Sequence, residues 1–233
     1  MNPTNPTKCL TPTMMETASG YILDLAHPDT AAICIEDIAT ALANQCRFNG
    51  HCARPYSVAE HSIRVAIALK PRGPWAQLYG LLHDAHEAYT GDIVRPLIVL
   101  LPGLGDIQAR IQSAIYASLS LPEPSSTTRN AIQAADDAML AIEARDLMPS
   151  QGLTWGMPDP DPAIPFDAGE PTSDKGRFID FYQGLRIRIH RPRIEPGPFR
   201  CATGTKSGQK ADKNRTKSGP PARTASHPKR DHA

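Results

Sequence analysis

Apolar residues recur at helical spacing along most of this 233-residue chain, and this pattern limits its fold more than any other feature. Ile35, Ile38 and Leu42 fall at positions i, i+3 and i+7, which is typical of one buried helix face. Similar stripes recur between proline and glycine breaks, near residues 57–69, 75–85, 107–115, 127–147 and 178–185. Residues 19–25 suit a short extended segment. The sequence therefore predicts an all-α, single-domain helical bundle.

Composition divides the chain into a leader, a domain and a tail. Residues 1–17 are rich in proline and threonine and predict a flexible leader. The domain is expected over residues 18–194, with a proline-rich loop at 149–173. Residues 195–233 hold nine Lys or Arg and three Asp or Glu, and almost nothing apolar. Such a segment cannot bury enough surface to fold, so we expect a basic, disordered tail.

The cysteines and the apolar runs indicate the compartment. Five scattered cysteines include no Cys-x-x-Cys pair, which argues against a disulfide framework and favours a reducing cytoplasm. No signal-peptide core and no apolar run of membrane-spanning length are present, so no membrane partner is expected. The basic tail would bind nucleic acid only weakly, through charge.

Four side chains that could bind a metal lie at or beside positions expected to be apolar. His61 and Asp136 each share a stripe with apolar residues of a predicted helix, and His83-Asp84 stands at the polar end of an apolar segment. A buried polar group is costly without a partner, and one shared cation would serve all four. Asp137 directly follows Asp136 and is an alternative fourth ligand.

The ligand set indicates both the ion and the chemistry. Two imidazoles with two carboxylates suit one divalent ion among Mn, Co, Fe, Ni and Zn. Such an ion lowers the pKa of its bound water, which points to metal-assisted hydrolysis. Glu87 lies four residues after His83, on the same face of a continuous helix. It could handle the proton of that water as a general base or acid.

These motifs together resemble the HD-domain metal-dependent phosphohydrolases, in particular the bacterial 5′-deoxynucleotidase branch and its phage-encoded relatives. The likeness covers about residues 18–190 and is carried by Cys46-Arg47-Phe48, residues 56–62 (YSVAEHS), residues 83–87 (HDAHE), Thr90-Gly91-Asp92 and Ala135-Asp136. The resemblance implies an HD-type helical bundle with His61, His83, Asp84 and Asp136 as metal ligands. Relatives are often dimers or larger, so a homo-oligomer is expected.

The resemblance also assigns roles around the ion. Glu87 would match the catalytic glutamate, Asp92 the active-site aspartate after the Thr-Gly turn, and Arg47 the phosphate-binding arginine. Phe48 stands where the branch usually has a tryptophan that packs near the sugar.

The function expected on these grounds is removal of phosphate from 2′-deoxynucleoside 5′-monophosphates. One alternative is a phage-type deoxynucleoside triphosphohydrolase, for example acting on dATP. An alternative of another class is a nucleotide-binding regulator without catalysis.

Overall fold

The computed structural model describes residues 10–157, 159–160 and 174–190. Eight α-helices account for most of them: α1 Ile35–Asn44, α2 Val58–Ala68, α3 Pro74–Leu81, α4 Glu87–Thr90, α5 Arg95–Ile98, α6 Leu104–Ser118, α7 Ser126–Leu147 and α8 Asp174–His190. Short 3-10 turns lie at Thr30–Ala32, Arg47–Gly50 and Lys70–Arg72. The all-α prediction is confirmed.

The strands of the described residues form one small hairpin. Strand β1, Met14–Glu16, pairs antiparallel with β2, Ile22–Asp24, and Met15 lies opposite Leu23. Residues 14–16 lie inside the leader predicted at 1–17, and there the prediction is wrong because their backbone pairs with β2. The predicted extended segment at 19–25 contains β2.

Helix α2 forms the centre of the bundle and packs against α1, α3, α7 and α8. Its first turn is capped by Ser57, whose Oγ accepts a hydrogen bond from the backbone N–H of Glu60 at 3.0 Å. Leu42, Val65, Leu78 and Phe178 are fully buried in the core. The first residues of α2 are thereby held in the interior, where His61 lies.

Helices α2 and α3 approach closely at Gly80. A Cβ atom added there would lie 2.4 Å from Leu69 Cδ1 and 3.4 Å from Ala66 Cα. Only a residue without a side chain allows this spacing without a shift of the neighbours. The contact fixes the end of α3 against α2.

The helix predicted over residues 75–85 is wrong in its second half. Helix α3 ends at Leu81, and residues 82–86 form a series of tight turns before α4 begins. The N–H groups of Ala85, Glu87 and Ala88 bond to carbonyls three residues earlier. His83, Asp84 and Glu87 therefore do not share one continuous helix.

Two of the predicted segments fall mostly or wholly outside the described residues. The tail at 195–233 is one, and much of the proline-rich loop at 149–173 is the other. Residues 149–157 and 159–160 of that loop are described, and 149–156 follow α7 as consecutive turns. No helix among the described residues has the length and apolar character needed to cross a membrane.

Candidate metal centre

Three predicted ligands meet at one point of the bundle. His61 Nε2 on α2 lies 3.3 Å from His83 Nε2, in the turn after α3. Asp136 Oδ1 on α7 lies 3.2 Å from His61 Nε2 and 3.8 Å from His83 Nε2. One ligand atom from each residue fits within a 4.8 Å group. Residues far apart in the chain are thus brought to ligand spacing.

The Nδ1 atom of each imidazole lies within hydrogen-bond distance of an acceptor. His83 Nδ1 lies 2.8 Å from the Gly80 carbonyl oxygen, and His61 Nδ1 lies 2.6 Å from Glu143 Oε1. A carbonyl can only accept a hydrogen bond. Burial raises the pKa of Glu143, but His61 and Arg47 lower it below its usual value, so its carboxylate also accepts. Both Nδ1 atoms therefore carry the proton.

This arrangement directs two Nε2 lone pairs at each other. With Nδ1 protonated in both rings, neither neutral imidazole has a donor to offer at Nε2. The adjacent Asp136 Oδ1 is an acceptor as well. Metal–ligand bonds of about 2.1 Å place neighbouring ligand atoms about 3.0–3.4 Å apart in octahedral or tetrahedral sites. The separations of 3.2 and 3.3 Å fall in this range and the third, at 3.8 Å, is slightly longer, so a small closure of the group would suit a shared cation.

The electrostatics favour positive charge at the same point. Burial lowers the pKa of His83, but Asp84 and Asp136 raise it well above its ordinary value. Burial likewise raises the pKa of Asp136, and contacts with His61 and His83 lower it strongly. Without a cation these groups would attract a proton, and a divalent ion would satisfy the same demand.

Asp84 lies in the turn after α3, beside His61, His83 and Asp136. Its Oδ2 lies 3.0 Å from His83 Nε2 and 3.5 Å from His61 Nε2. In a continuous helix, adjacent side chains diverge by about 100°, so His83 and Asp84 would point apart. The tight turns at 82–86 let both reach the same point. Asp84 therefore lies beside the candidate site, and its role as a fourth ligand stays a prediction.

The orientation of the two side chains distinguishes Asp136 from Asp137 as a candidate metal ligand. Asp137 Oδ1 lies 3.2 Å from Arg95 Nη2, and its side chain is 47% exposed. Asp136 Oδ1 faces both imidazoles, while its Oδ2 lies 3.5 Å from Arg95 Nη2. The geometry places Asp136 at the candidate site and Asp137 at the surface.

Glu87 begins α4, and one oxygen of its carboxyl group lacks a hydrogen-bond partner among the described residues. Its Oε2 is buried and accepts no hydrogen bond from any described residue. Burial, helped by Asp84 and Asp92, raises the pKa of Glu87 to about 10. Burial also raises the pKa of Asp92. Glu87 thus holds a proton at neutral pH, beside the candidate ligands.

A glutamine that sequence reasoning missed connects Glu87 with Asp92. Gln45 Nε2 donates to the Glu87 carbonyl at 2.9 Å, and Gln45 Oε1 accepts from the Asp92 backbone N–H at 3.1 Å. It fixes α4 and the turn after Gly91 relative to each other. In the sequence, the available signal for this role was the polar side chain of Gln45 directly before Cys46.

Arg47 is buried and its orientation is fixed by Glu143. Its Nε and Nη2 each lie 3.2 Å from Glu143 Oε2, and Nη1 lies 3.9 Å from Asp84 Oδ2. Burial lowers the pKa of Arg47, but Glu143 and Asp84 raise it far above its usual value. Arg47 therefore stays charged beside the candidate metal ligands.

Glu143 is the main residue that sequence reasoning did not assign to the site. It is fully buried on α7 and joins Arg47, His61 and Tyr56, whose hydroxyl donates to Oε1 at 2.7 Å. Glu143 lies seven residues after Asp136, two helical turns along the same face. In the sequence, the available signal for Glu143 was a single glutamate within the apolar run 139–144.

Several of these groups line a cavity of about 600 Å³. Arg47, Asp84, Glu87, Asp92 and Asp136 line it together with Arg95. Its remaining described lining is apolar and includes Phe48, Leu140, Met148, Trp155 and Met157. The cavity thus joins a charged region that contains Asp84 and Asp136 to a large apolar surface.

The chain is similar to two bacterial proteins. It is 41% identical over 123 residues to "Uncharacterized protein YfdR" of Escherichia coli, covering 53% of this chain and 66% of that protein, just under two thirds of its length. It is 34% identical over 155 residues to "Uncharacterized protein RCAP_rcc00048" of Rhodobacter capsulatus, covering 61% of this chain and 79% of that protein. No family model matches the chain.

Proposed function

The chain belongs to the same protein family as RCAP_rcc00048 of Rhodobacter capsulatus, and we propose that it is a metal-dependent phosphohydrolase of the HD-domain type. We propose that it releases phosphate from 2′-deoxynucleoside 5′-monophosphates. The observation that carries this proposal is the convergence of His61 Nε2, His83 Nε2 and Asp136 Oδ1 at ligand spacing.

The residues present fit a divalent transition ion. His61, His83 and Asp136, with Asp84 beside them, would hold one ion among Mn, Co, Fe, Ni and Zn, because imidazole and carboxylate ligands suit these metals. When bound, such an ion supplies a water of lowered pKa and positive charge for a phosphate oxygen. The hydrogen bonds to Gly80 and Glu143 hold the imidazoles in the ligating tautomer.

Arg47 is placed to bind the phosphate. Glu143 holds its Nε and Nη2, so the guanidinium plane is fixed before substrate arrives. Nη1 lies toward Asp84 at the cavity lining. A fixed guanidinium next to the candidate ligands offers a directed donor to a phosphate oxygen.

Glu87 is placed to transfer a proton. In the metal-free protein its raised pKa keeps it protonated, and it lines the same cavity as Arg47 and Asp84. It can donate this proton to the leaving oxygen of the nucleoside, and the resulting carboxylate can accept one from water. Asp92 lines the cavity at the next turn and can position the water.

The cavity lining supports a monophosphate over a triphosphate. Its cationic side chains among the described residues are Arg47 and Arg95, and each already lies near a carboxylate. A triphosphate would bring more negative charge than these two groups can match. The unpaired Glu87 argues against a non-catalytic regulator, because a buried carboxyl of strongly shifted pKa is costly and is typical of catalytic sites.

A metal-by-nucleotide experiment tests the proposal. Metal-free protein is loaded with each candidate ion and given dAMP or dATP, and the products are separated. We expect phosphate from dAMP, loss of bound metal in His83→Ala, and at least about a 100-fold loss of rate with retained metal in Glu87→Gln. Triphosphate released from dATP alone would favour the triphosphohydrolase. Absence of bound metal in the parent protein would refute the proposal.

The proposed substrate also suggests where the protein acts. Free nucleotides are found inside the cell, and Cys34, Cys46 and Cys52 form no disulfide. Both points support a cytoplasmic location. Association with further copies of the chain stays a prediction.

A further inference from the structure

Two aromatic rings meet in the lining of the cavity. Phe48 and Trp155 have ring centroids 6.0 Å apart, inclined at 53°, and both line the cavity. Phe48 directly follows Arg47, whose guanidinium carbon lies 5.5 Å from the Phe48 ring centroid. We call Phe48 and Trp155 the aromatic corner. It begins next to the proposed phosphate-binding arginine.

The backbone at Phe48 is strained and fixed. Phe48 and Asn49 have φ of 57° and 50°, the left-handed region that costs energy for residues other than glycine. The His51 N–H donates to the Phe48 carbonyl at 2.9 Å, and the Arg47 N–H donates to the Tyr56 carbonyl at 2.8 Å. Hydrogen bonds on both sides thus hold the Phe48 backbone in this conformation.

Trp155 is presented by the series of turns after α7. The N–H of Gln151 bonds to the Met148 carbonyl at 2.9 Å, and that of Trp155 bonds to the Gly152 carbonyl at 3.0 Å. Gly152 packs tightly on α7, since a Cβ atom there would lie 3.0 Å from Ala144 Cβ. The indole is therefore anchored beside α7. It is nevertheless 40% exposed, which leaves part of its surface available to a ligand in the cavity.

We infer that the aromatic corner binds the planar nucleobase of the substrate, with Trp155 as the main stacking surface. This inference rests on the proposed function, since it assigns the part of the substrate that the charged region does not bind. The centroid separation is too short for a base to enter between the rings, so the base lies against the corner. Met148 and Met157 beside it add adaptable apolar contacts.

Stacking accounts for the chemistry of the apolar region. The described lining holds no Asn, Gln, Ser or Thr side chain that could read a base edge. Base–aromatic stacking needs only a π-face, so it tolerates different bases and favours the larger purines. The sugar and base would then lie along the apolar wall while the phosphate lies near Arg47.

The first experiment measures binding without hydrolysis. Trp75→Phe leaves Trp155 as the single tryptophan, because the chain has two. Trp75 stacks on Tyr79 of α3 and does not line the cavity. We expect deoxyadenosine to quench Trp155 fluorescence saturably and 2-deoxyribose to leave it unchanged. Absence of quenching by deoxyadenosine would overturn the inference, whatever the enzyme assays find.

The second experiment separates base from phosphate. Trp155→Ala should raise the KM for dAMP about 10-fold or more, change kcat little, and leave the KM for 2-deoxyribose 5-phosphate unaltered. Trp155→Phe should restore part of the affinity. Leu153→Ala is the matched control, because Leu153 lies in the same turns but is 84% exposed. An equal rise in KM for both substrates would overturn the inference while leaving the proposed phosphohydrolase intact.

Discussion

Glu143 supports the candidate site through each of its two oxygens. Oε1 accepts from the Tyr56 hydroxyl and from His61 Nδ1, while Oε2 accepts from Arg47. The same carboxylate therefore sets the tautomer of one proposed ligand and the orientation of the phosphate-binding arginine. Partners of this kind contribute to metal affinity although they do not touch the ion.

We expect Glu143→Gln to weaken metal binding about 10- to 100-fold. The amide nitrogen of the new glutamine would face hydrogen-bond donors that now bond to the carboxylate. Buried Arg47 would also lose its charged partner, at a cost to stability of about 3 kcal/mol. Competition with a metal indicator dye measures the affinity, and urea denaturation measures the stability. Asp146→Asn is the matched control, since Asp146 lies on the same helix and pairs with Arg145 at the surface. Equal metal affinity in the two variants would contradict the prediction.

Glu87 should make the stability of the metal-free protein depend on pH. Its pKa is about 10 when folded, against an ordinary 4.5. Between these values the folded chain holds a proton that the unfolded chain releases. The free energy of unfolding therefore falls as pH rises, by at most about 1.4 kcal/mol per pH unit from this group.

Glu87→Gln removes this dependence. In metal-free protein the variant should gain stability over the parent, and the gain should be small at pH 5 and larger at pH 8. Urea denaturation across that range measures it, and Glu123→Gln at an exposed position is the control. A gain that is the same at every pH would show that Glu87 is already ionised in the fold.

At the scale of elements, the sequence predicted helices better than the turn that forms the site. The predicted stripe at 57–69 begins where α2 does, because Ser57 caps the first turn and such a cap is a local signal. The end of α3 at Leu81 was missed, because Leu78, Leu82 and Ala85 keep helical spacing through the turn. Periodicity over so few residues does not separate a helix from successive tight turns.

The site residues also divide into those that the sequence could reveal and those that it could not. His61 and Asp136 could be found because each interrupts an apolar stripe, and Glu143 carried the same signal. Trp155 could not be placed, because the turns after α7 have no periodicity. Its position depends on the contact between Gly152 and Ala144, which only the folded structure contains.

The contact of α3 with α2 at Gly80 sets the spacing of the imidazoles. Gly80→Ala would force Leu69 aside, so we expect a loss of about 1–3 kcal/mol and weaker metal binding. Gly184→Ala on α8 is the matched control, because nothing lies within 4 Å of its added Cβ. It should gain about 0.5–1 kcal/mol. Denaturation at fixed metal concentration measures both, and an unchanged Gly80→Ala stability would contradict the close contact.

At the scale of the whole molecule, the candidate ligands come from three distant parts of the chain. Residue 61 lies on α2, residue 83 follows α3 and residue 136 lies on α7, and α2 packs against both α3 and α7. The unfolded chain cannot hold these groups together. An ion that binds only the folded chain adds to its stability by mass action.

The charges around the cavity also determine the order in which the ion and the nucleotide bind. Among the described lining residues, Asp84, Asp92 and Asp136 outnumber Arg47 and Arg95, while Glu87 is protonated. A phosphate entering before the ion would meet a surplus of carboxyl groups, so the ion must be taken up first and the nucleotide second. Each ligand then favours retention of the other by the same factor. Added phosphate should accordingly slow the removal of the ion by a chelator.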